Sequence, residues 1–299
     1  METTIQIIAY GVIVGALYGL VAIGLALLMG VMKYLNIAHG TFIMLGGYVS
    51  FWIFTFWGIN PYLSIPLVML VMFLIGLIIY KLLLSSLLKL PYIGLRINNS
   101  MLITFGLIWV LDNAATLLWT GDVRSIVTSY TGETLNLFGI RLPYTGMAGL
   151  GLAVLVIFLL NLLLSKTYFG KAVRATTQDA EAATLAGINI HRTYLISCGI
   201  ALALAGVAGV VVVLSYSVTP SGGLSWLLMA LVVMVLAGEG KINAVLPAGL
   251  ILGLVEAASV FVTGAAYREV VVLIMFILVL MFRPRGLFTR RAEGTQYDS

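Results

Sequence analysis

The sequence predicts an all-α bundle of about eight or nine membrane-spanning helices. Three observations predict it. The 299 residues are 62% hydrophobic and only 9% charged, whereas a water-facing globular domain carries about 25% charged residues. Apolar runs near the ~20 residues needed to span a bilayer recur along the whole chain. The runs are continuous, without the short alternating segments of a transmembrane barrel.

Nine runs can be marked: Ile5–Val31, Ile37–Trp57, Tyr62–Leu88, Ser100–Trp119, Gly146–Ser165, Tyr194–Val218, Trp226–Ala237, Ala244–Thr263 and Ala265–Phe282. The seventh is short, so eight full crossings plus one half-depth element is the other reading. The first run is too long and too glycine-rich for a removable signal peptide and is expected to stay as a helix. The single cysteine, Cys198, lies inside an apolar run and is expected to be a packing residue, since it can form neither an internal disulfide nor a multi-cysteine zinc site.

Charge orients the runs. With nine crossings, Lys33, Lys81, Lys89, Arg96, Lys166, Lys171, Arg174, Arg192, Lys241, Arg283, Arg285, Arg290 and Arg291 fall on one side. Only Arg124, Arg141 and Arg268 of the 16 basic residues fall on the other. Basic residues collect on cytoplasmic loops, so the first side faces the cytoplasm and the N-terminus lies outside. The net charge of +5 is therefore a topology signal and does not point to nucleic acid.

Helices in lipid associate where small residues let backbones approach. Gly11, Gly15 and Gly19 share one face of the first run, Gly249 and Gly253 one face of the eighth, and Gly206 and Gly209 a looser patch in the sixth. Packing within the bundle is the favoured use, contact with a second subunit the alternative. Two acidic residues fall at membrane depth, Asp112 and Glu256. Such residues are costly in a membrane and invite a functional reading. Hydrogen bonding to a neighbouring helix or lining a wet cavity comes first here, and proton coupling second.

The segment "KYLNIAHGTFIMLGGY" (Lys33–Tyr48) interrupts the apolar runs with Lys33, Asn36 and His39. Lys33 reads as a cytoplasmic anchor. Asn36 can cap the second helix by accepting a bond from a first-turn amide. Gly40 lets another helix come close. The cluster is expected at the inner mouth of a pathway, with Asn36 and His39 as gate candidates. A lone histidine gives no case for a metal site.

Two polar links stand out. The outer one, Thr120–Tyr144, contains "LNLFGIRLP", a small strand-turn-strand pattern. The inner one, Ser165–Arg192, is long for a bundle connection. In it Thr177 or Asp179 can cap a short amphipathic helix with Ala182, Ala183, Leu185 and Ile188 as its apolar side, and Gly187 can end it in a left-handed conformation. Its mixed charge suits a groove on a soluble partner better than anionic lipid.

At this point the residues carry a resemblance. "EAATLAG" (Glu181–Gly187) resembles the EAA-x-x-x-G loop of ABC importer permeases. The wider "GKAVRATTQDAEAATLAGINIHR" (Gly170–Arg192), "GALYGLVAIGLALLMGVMKYLNIAHGTFIMLGGY" (Gly15–Tyr48) and "FRPRGLF" (Phe282–Phe288) resemble the branched-chain amino acid ABC transporter permeases, the smaller of their two permease subunits. "VLAGEGKINAVLPAGLILGLVE" (Val235–Glu256) matches too, with Ala237, Glu239 and Leu246 departing from the family pattern.

The resemblance implies a single permease domain over residues 1–299, half of a pathway, with no catalytic centre. The implied partners are a second homologous permease, two cytoplasmic ATP-binding subunits that hold ATP and magnesium, and a periplasmic substrate-binding protein. The implied site is the inner membrane of a bacterium. The chain itself has no G-x-x-x-x-G-K-[ST] loop for a nucleotide.

On that reading Arg174, Asp179, Glu181, Ala182, Ala183, Leu185 and Gly187 dock the ATPase through a coupling helix in loop 165–192. The turn Gly238–Asn243 is a second contact. The binding protein meets loop 120–145 and the turn Thr219–Gly223. Asn36, His39, Gly40, Asp112 and Glu256 are the pathway or gate candidates, and residues 292–299 form a frayed tail. Permeases for amides, urea, sugars or nucleosides share the architecture and stay open as alternatives. An ion-coupled secondary transporter rests on Asp112 and Glu256. An intramembrane hydrolase lacks a base in reach of a nucleophile, the histidines being only His39 and His191.

Overall fold

The structure is a computed structural model that describes residues 2–90, 92–137, 139–284 and 286–288. The helices are α1 (Glu2–Met32), α2 (His39–Trp57), α3 (Pro61–Ile79), α4 (Ile93–Trp119), α5 (Tyr144–Lys166), α6 (Tyr168–Gln178), α7 (Ala180–Leu185), α8 (Ile190–Ser215), α9 (Gly223–Ala237), α10 (Val245–Thr263) and α11 (Arg268–Phe282). A π turn at Tyr80–Leu84 and a 3-10 turn at Ser85–Lys89 prolong α3 toward Lys89.

Among the described residues, eight helical segments are long and apolar enough to cross a membrane, and α9 is shorter. The chain is thus a polytopic helical bundle. The one sheet among the described residues is the hairpin expected in the outer link. Its strands β1 (Thr134–Leu137) and β2 (Ile140–Pro143) pair antiparallel, Leu135 opposite Leu142. Gln6 of α1 bonds both the amide and the carbonyl of Arg141 at 2.8 Å and ties the hairpin to the bundle. The tail 292–299 lies outside the described residues.

The centre is made by α1 and α8, whose apolar side chains are mostly buried, Leu20, Ile23 and Val207 among them, together with the first turns of α2 around Phe42. Glycine decides how they meet. On α1, Gly15 lies so close to α10 that a Cβ there would stand 2.7 Å from the Gly249 carbonyl oxygen. A Cβ on Gly249 would stand 2.5 Å from the Gly15 oxygen. Gly11 and Gly253 continue the seam. The small-residue faces of the first and eighth runs therefore pack on each other within the chain. The patch on α8 serves α2 and α3: Gly206 meets Gly46 and Met72.

Both ends of the bundle are tied by polar contacts. At the outer end, Arg124 and Val218 form a two-bond antiparallel bridge of 2.8 and 3.0 Å. The Arg124 guanidinium donates to the Trp119 carbonyl at 2.8 Å and lies over the rings of Phe51 and Trp52. At the inner end, Lys33 pairs with Glu239 at 3.1 Å. Lys33 holds a left-handed φ of 55° where the chain leaves α1. Lys241 donates to the Phe288 carbonyl at 2.8 Å, and Leu287 N–H to Leu236. Gly286–Phe288 thus lie back against the end of α9.

Candidate functional site

The polar connector after α1 does not stay at the inner surface. His39 Nε2 lies 3.0 Å from the Val21 carbonyl, about 16 Å of helix short of the inner end of α1 at 1.5 Å per residue. Residues Lys33–Ala38 bring the chain back up to that depth. Along the way the Leu35 and Ile37 amides donate to Ser100 and Thr104 hydroxyls of α4, both at 3.0 Å. The expected position of Asn36 and His39 at the inner mouth is therefore corrected: they stand at mid-depth. Backbone leaves regular structure at that depth because protein hydroxyls replace the missing helix bonds.

The expected cap is corrected too. Ala38 precedes the first turn of α2 and no side chain caps it. The Asn36 main-chain carbonyl accepts from the His39 amide at 3.2 Å, while neither side-chain amide atom of Asn36 has a partner among the described residues. Asn36 is 2% exposed and His39 is 0%.

Gly40 does admit another helix. Its neighbour is the first residue of α9, Gly223, whose carbonyl sits where a Gly40 Cβ would project. Thr41 touches Gly223 as well. The turn before α9 therefore dives inward from Val218, correcting its reading as an outer-face contact: Pro220 and Gly223 are buried, and only Ser221 is exposed. From this depth α9 needs only 15 residues, about 22 Å, to reach the inner side, which explains why the seventh run is short. Asp112 of α4 faces the Thr41 hydroxyl, and its Oδ1 is buried without a partner among the described residues.

Glu256 is elsewhere. It is 3% exposed, accepts a 2.6 Å hydrogen bond from Tyr18 of α1, and lies 3.5 Å from Arg268 at the start of α11. This pair joins three helices, and sequence distance hid both partners. A carboxylate so engaged is fitted to hold helices together.

The inner link forms two helices, where a single one was expected. Thr167 caps α6 by accepting from the Gly170 amide at 3.1 Å, and this "TYFG" start is the signal that was missed. Asp179 caps α7, its Oδ1 accepting from Glu181 and Ala182 amides at 2.9 and 3.0 Å. Gly187 ends α7 at a left-handed φ of 83°. Glu181 and Ala182 are exposed and Leu185 is 91% exposed. Two docking candidates sit differently. Ala183 is buried at the base of α7, because the helix rests that side on the bundle. Arg174 bonds back to the Leu164 carbonyl at the end of α5. It lines an inner crevice of about 690 Å³ together with Lys241 and Asn243. Arg174 and Ala183 anchor the projection, and Glu181, Ala182 and Leu185 form its free surface.

These features define a polytopic helical membrane protein with a projecting two-helix element at its basic end. The chain belongs to the family described as branched-chain amino acid transport system / permease component, which matches residues 7–280. It is similar to the high-affinity branched-chain amino acid transport system permease protein BraD of Pseudomonas aeruginosa, at 32% identity with 96% of each chain covered. It is similar also to the high-affinity permease protein LivH of Escherichia coli K12, 30% identical over 94% of each chain. A third relative is the probable permease protein LivH of Methanocaldococcus jannaschii, 29% identical over 94% of this chain and 91% of that one. No solved structure matches the chain.

Proposed function

We propose that the protein is a permease subunit of an ABC importer and forms half of the transmembrane pathway for branched-chain amino acids. It works in the inner membrane of a bacterium beside a second homologous permease. A periplasmic binding protein delivers the amino acid to the outer end. Two cytoplasmic subunits bind ATP and magnesium and move the pathway by gripping the α6–α7 element. This chain turns over no bond of its own.

The observation that carries the reading is the exposed face of α7. An apolar Leu185 held out at the basic end, on a helix fixed by an aspartate cap and a left-handed glycine, is the chemistry of a helix that enters a groove on a soluble partner. Family membership supports the same reading. The ion-coupled alternative loses one of its two supports, because Glu256 is engaged by Tyr18 and Arg268.

The test is the double substitution Glu181→Lys with Gly187→Trp. It reverses an exposed charge and puts a large side chain at a left-handed position. The protein should insert normally, while leucine uptake by the assembled transporter falls and ATP hydrolysis no longer responds to loaded binding protein. Unchanged leucine uptake in the double variant defeats the docking assignment.

A further inference from the structure

The bilayer interior offers no water to a stray polar group, so each buried one calls for a protein partner or a function. Four such atoms collect around the start of α2. They are both amide atoms of Asn36, Nδ1 of His39 and Oδ1 of Asp112, none of which has a partner among the described residues. Asn36 and His39 are joined through the main chain at 3.2 Å, and Asp112 faces Thr41 two residues further on.

Two helix N-termini meet at the same place. Gly40 and Thr41 of α2 pack on Gly223 of α9, and neither helix has a side-chain cap. Each N-terminus presents free N–H groups and roughly half a positive charge. Uncapped ends of helices broken at mid-membrane suit an anionic group. Asn36, 2% exposed and three residues before the start of α2, carries an unpartnered side-chain amide that supplies a further donor. The Asp112 carboxylate, facing Thr41 of α2, supplies a negative charge. Leu224 and Leu228, exposed along α9, add an apolar strip beside the junction.

We propose that this junction is a mid-membrane station for the zwitterionic end of an amino acid. The cargo carboxylate is taken by the Asn36 amide and the two helix ends, the ammonium by Asp112, and the aliphatic side chain lies along Leu224 and Leu228. This inference rests on the permease reading above. In the present conformation the station is shut, since the atoms concerned are out of contact with solvent. The wall that can move is α4, which is mostly unburied and is held at this point by the Ser100 and Thr104 bonds to the connector.

The experiment uses the complete transporter in proteoliposomes with its binding protein, reading leucine uptake and ATP hydrolysis separately. Asn36→Leu and Asp112→Asn should each lower leucine uptake roughly tenfold or more, the scale of a lost charged hydrogen bond. ATP hydrolysis stimulated by loaded binding protein should stay within about twofold, and Asp112→Glu should recover uptake. A wild-type complex without leucine uptake would sink the permease reading itself. Wild-type uptake that both substitutions leave unchanged would sink the station alone. Should a variant lose both readouts, Asn36→Cys with Cys198→Ala decides. Labelling by a cationic methanethiosulfonate during ATP turnover, slowed by leucine, upholds the station; labelling that leucine does not slow, or none, overturns it.

Discussion

Alanine substitution along the α1–α10 seam should change stability by an amount, and even a sign, set by local backbone distance. At Gly249 the added Cβ would stand 2.5 Å from the Gly15 oxygen and at Gly15 it would stand 2.7 Å from the Gly249 oxygen. At Gly11 the nearest atom, the Leu254 Cα, is at 2.9 Å, and at Gly19 the nearest, the Leu246 Cα, is at 3.4 Å. The atoms met are backbone, so no rotamer change relieves them. Ordinary contact requires the helices to part by about 1 Å at Gly249, and a gap of that size forfeits a quarter to a half of the dispersion energy of the atoms around it. Overpacking of this kind costs about 1–3 kcal/mol. Alanine returns up to about 1 kcal/mol in helix propensity. Gly249→Ala should thus lose about 1–2 kcal/mol net, Gly15→Ala less, Gly11→Ala near zero, and Gly19→Ala should gain up to about 1 kcal/mol. Equilibrium unfolding in mixed detergent micelles gives the order directly. If Gly249→Ala is as stable as Gly19→Ala, backbone contact is not what joins these helices.

Two further outcomes follow from polar contacts. Glu256→Ala strands the Tyr18 hydroxyl and the Arg268 guanidinium and should destabilise the protein by about 1–3 kcal/mol; Glu256→Gln keeps an acceptor for Tyr18 and should lose less in the same unfolding assay. Asp179→Ala removes both cap bonds of α7 and should weaken that helix by about 1 kcal/mol, seen as faster amide exchange at residues 180–185 with no change in α8.

Much of the molecule follows from the sequence because solvent sets it locally. A chain with this many apolar runs can satisfy its backbone in lipid only as helices, so every run became one. The basic residues grouped one end of the bundle before any contact was known, and Lys33 and Lys241 do lie at the same end. The cap at Asp179 and the stop at Gly187 were legible because both bonds and conformation are made within a few residues. The family motifs were legible as strings.

What the tertiary structure alone decided lies across long stretches of chain. That Gly15 meets Gly249, that Glu256 meets Tyr18 and Arg268, and that Gly40 meets Gly223 depends on which faces of distant helices turn together. Depth belongs to the same class. Nothing local to "KYLNIAHG" shows that it climbs back into the membrane; that required Ser100 and Thr104 on another helix to receive its free backbone groups. Periodicity and capping act over a few residues and so are written in the sequence, whereas the pairing of helices and the depth of a break are settled only when remote backbones come close enough to exchange contacts.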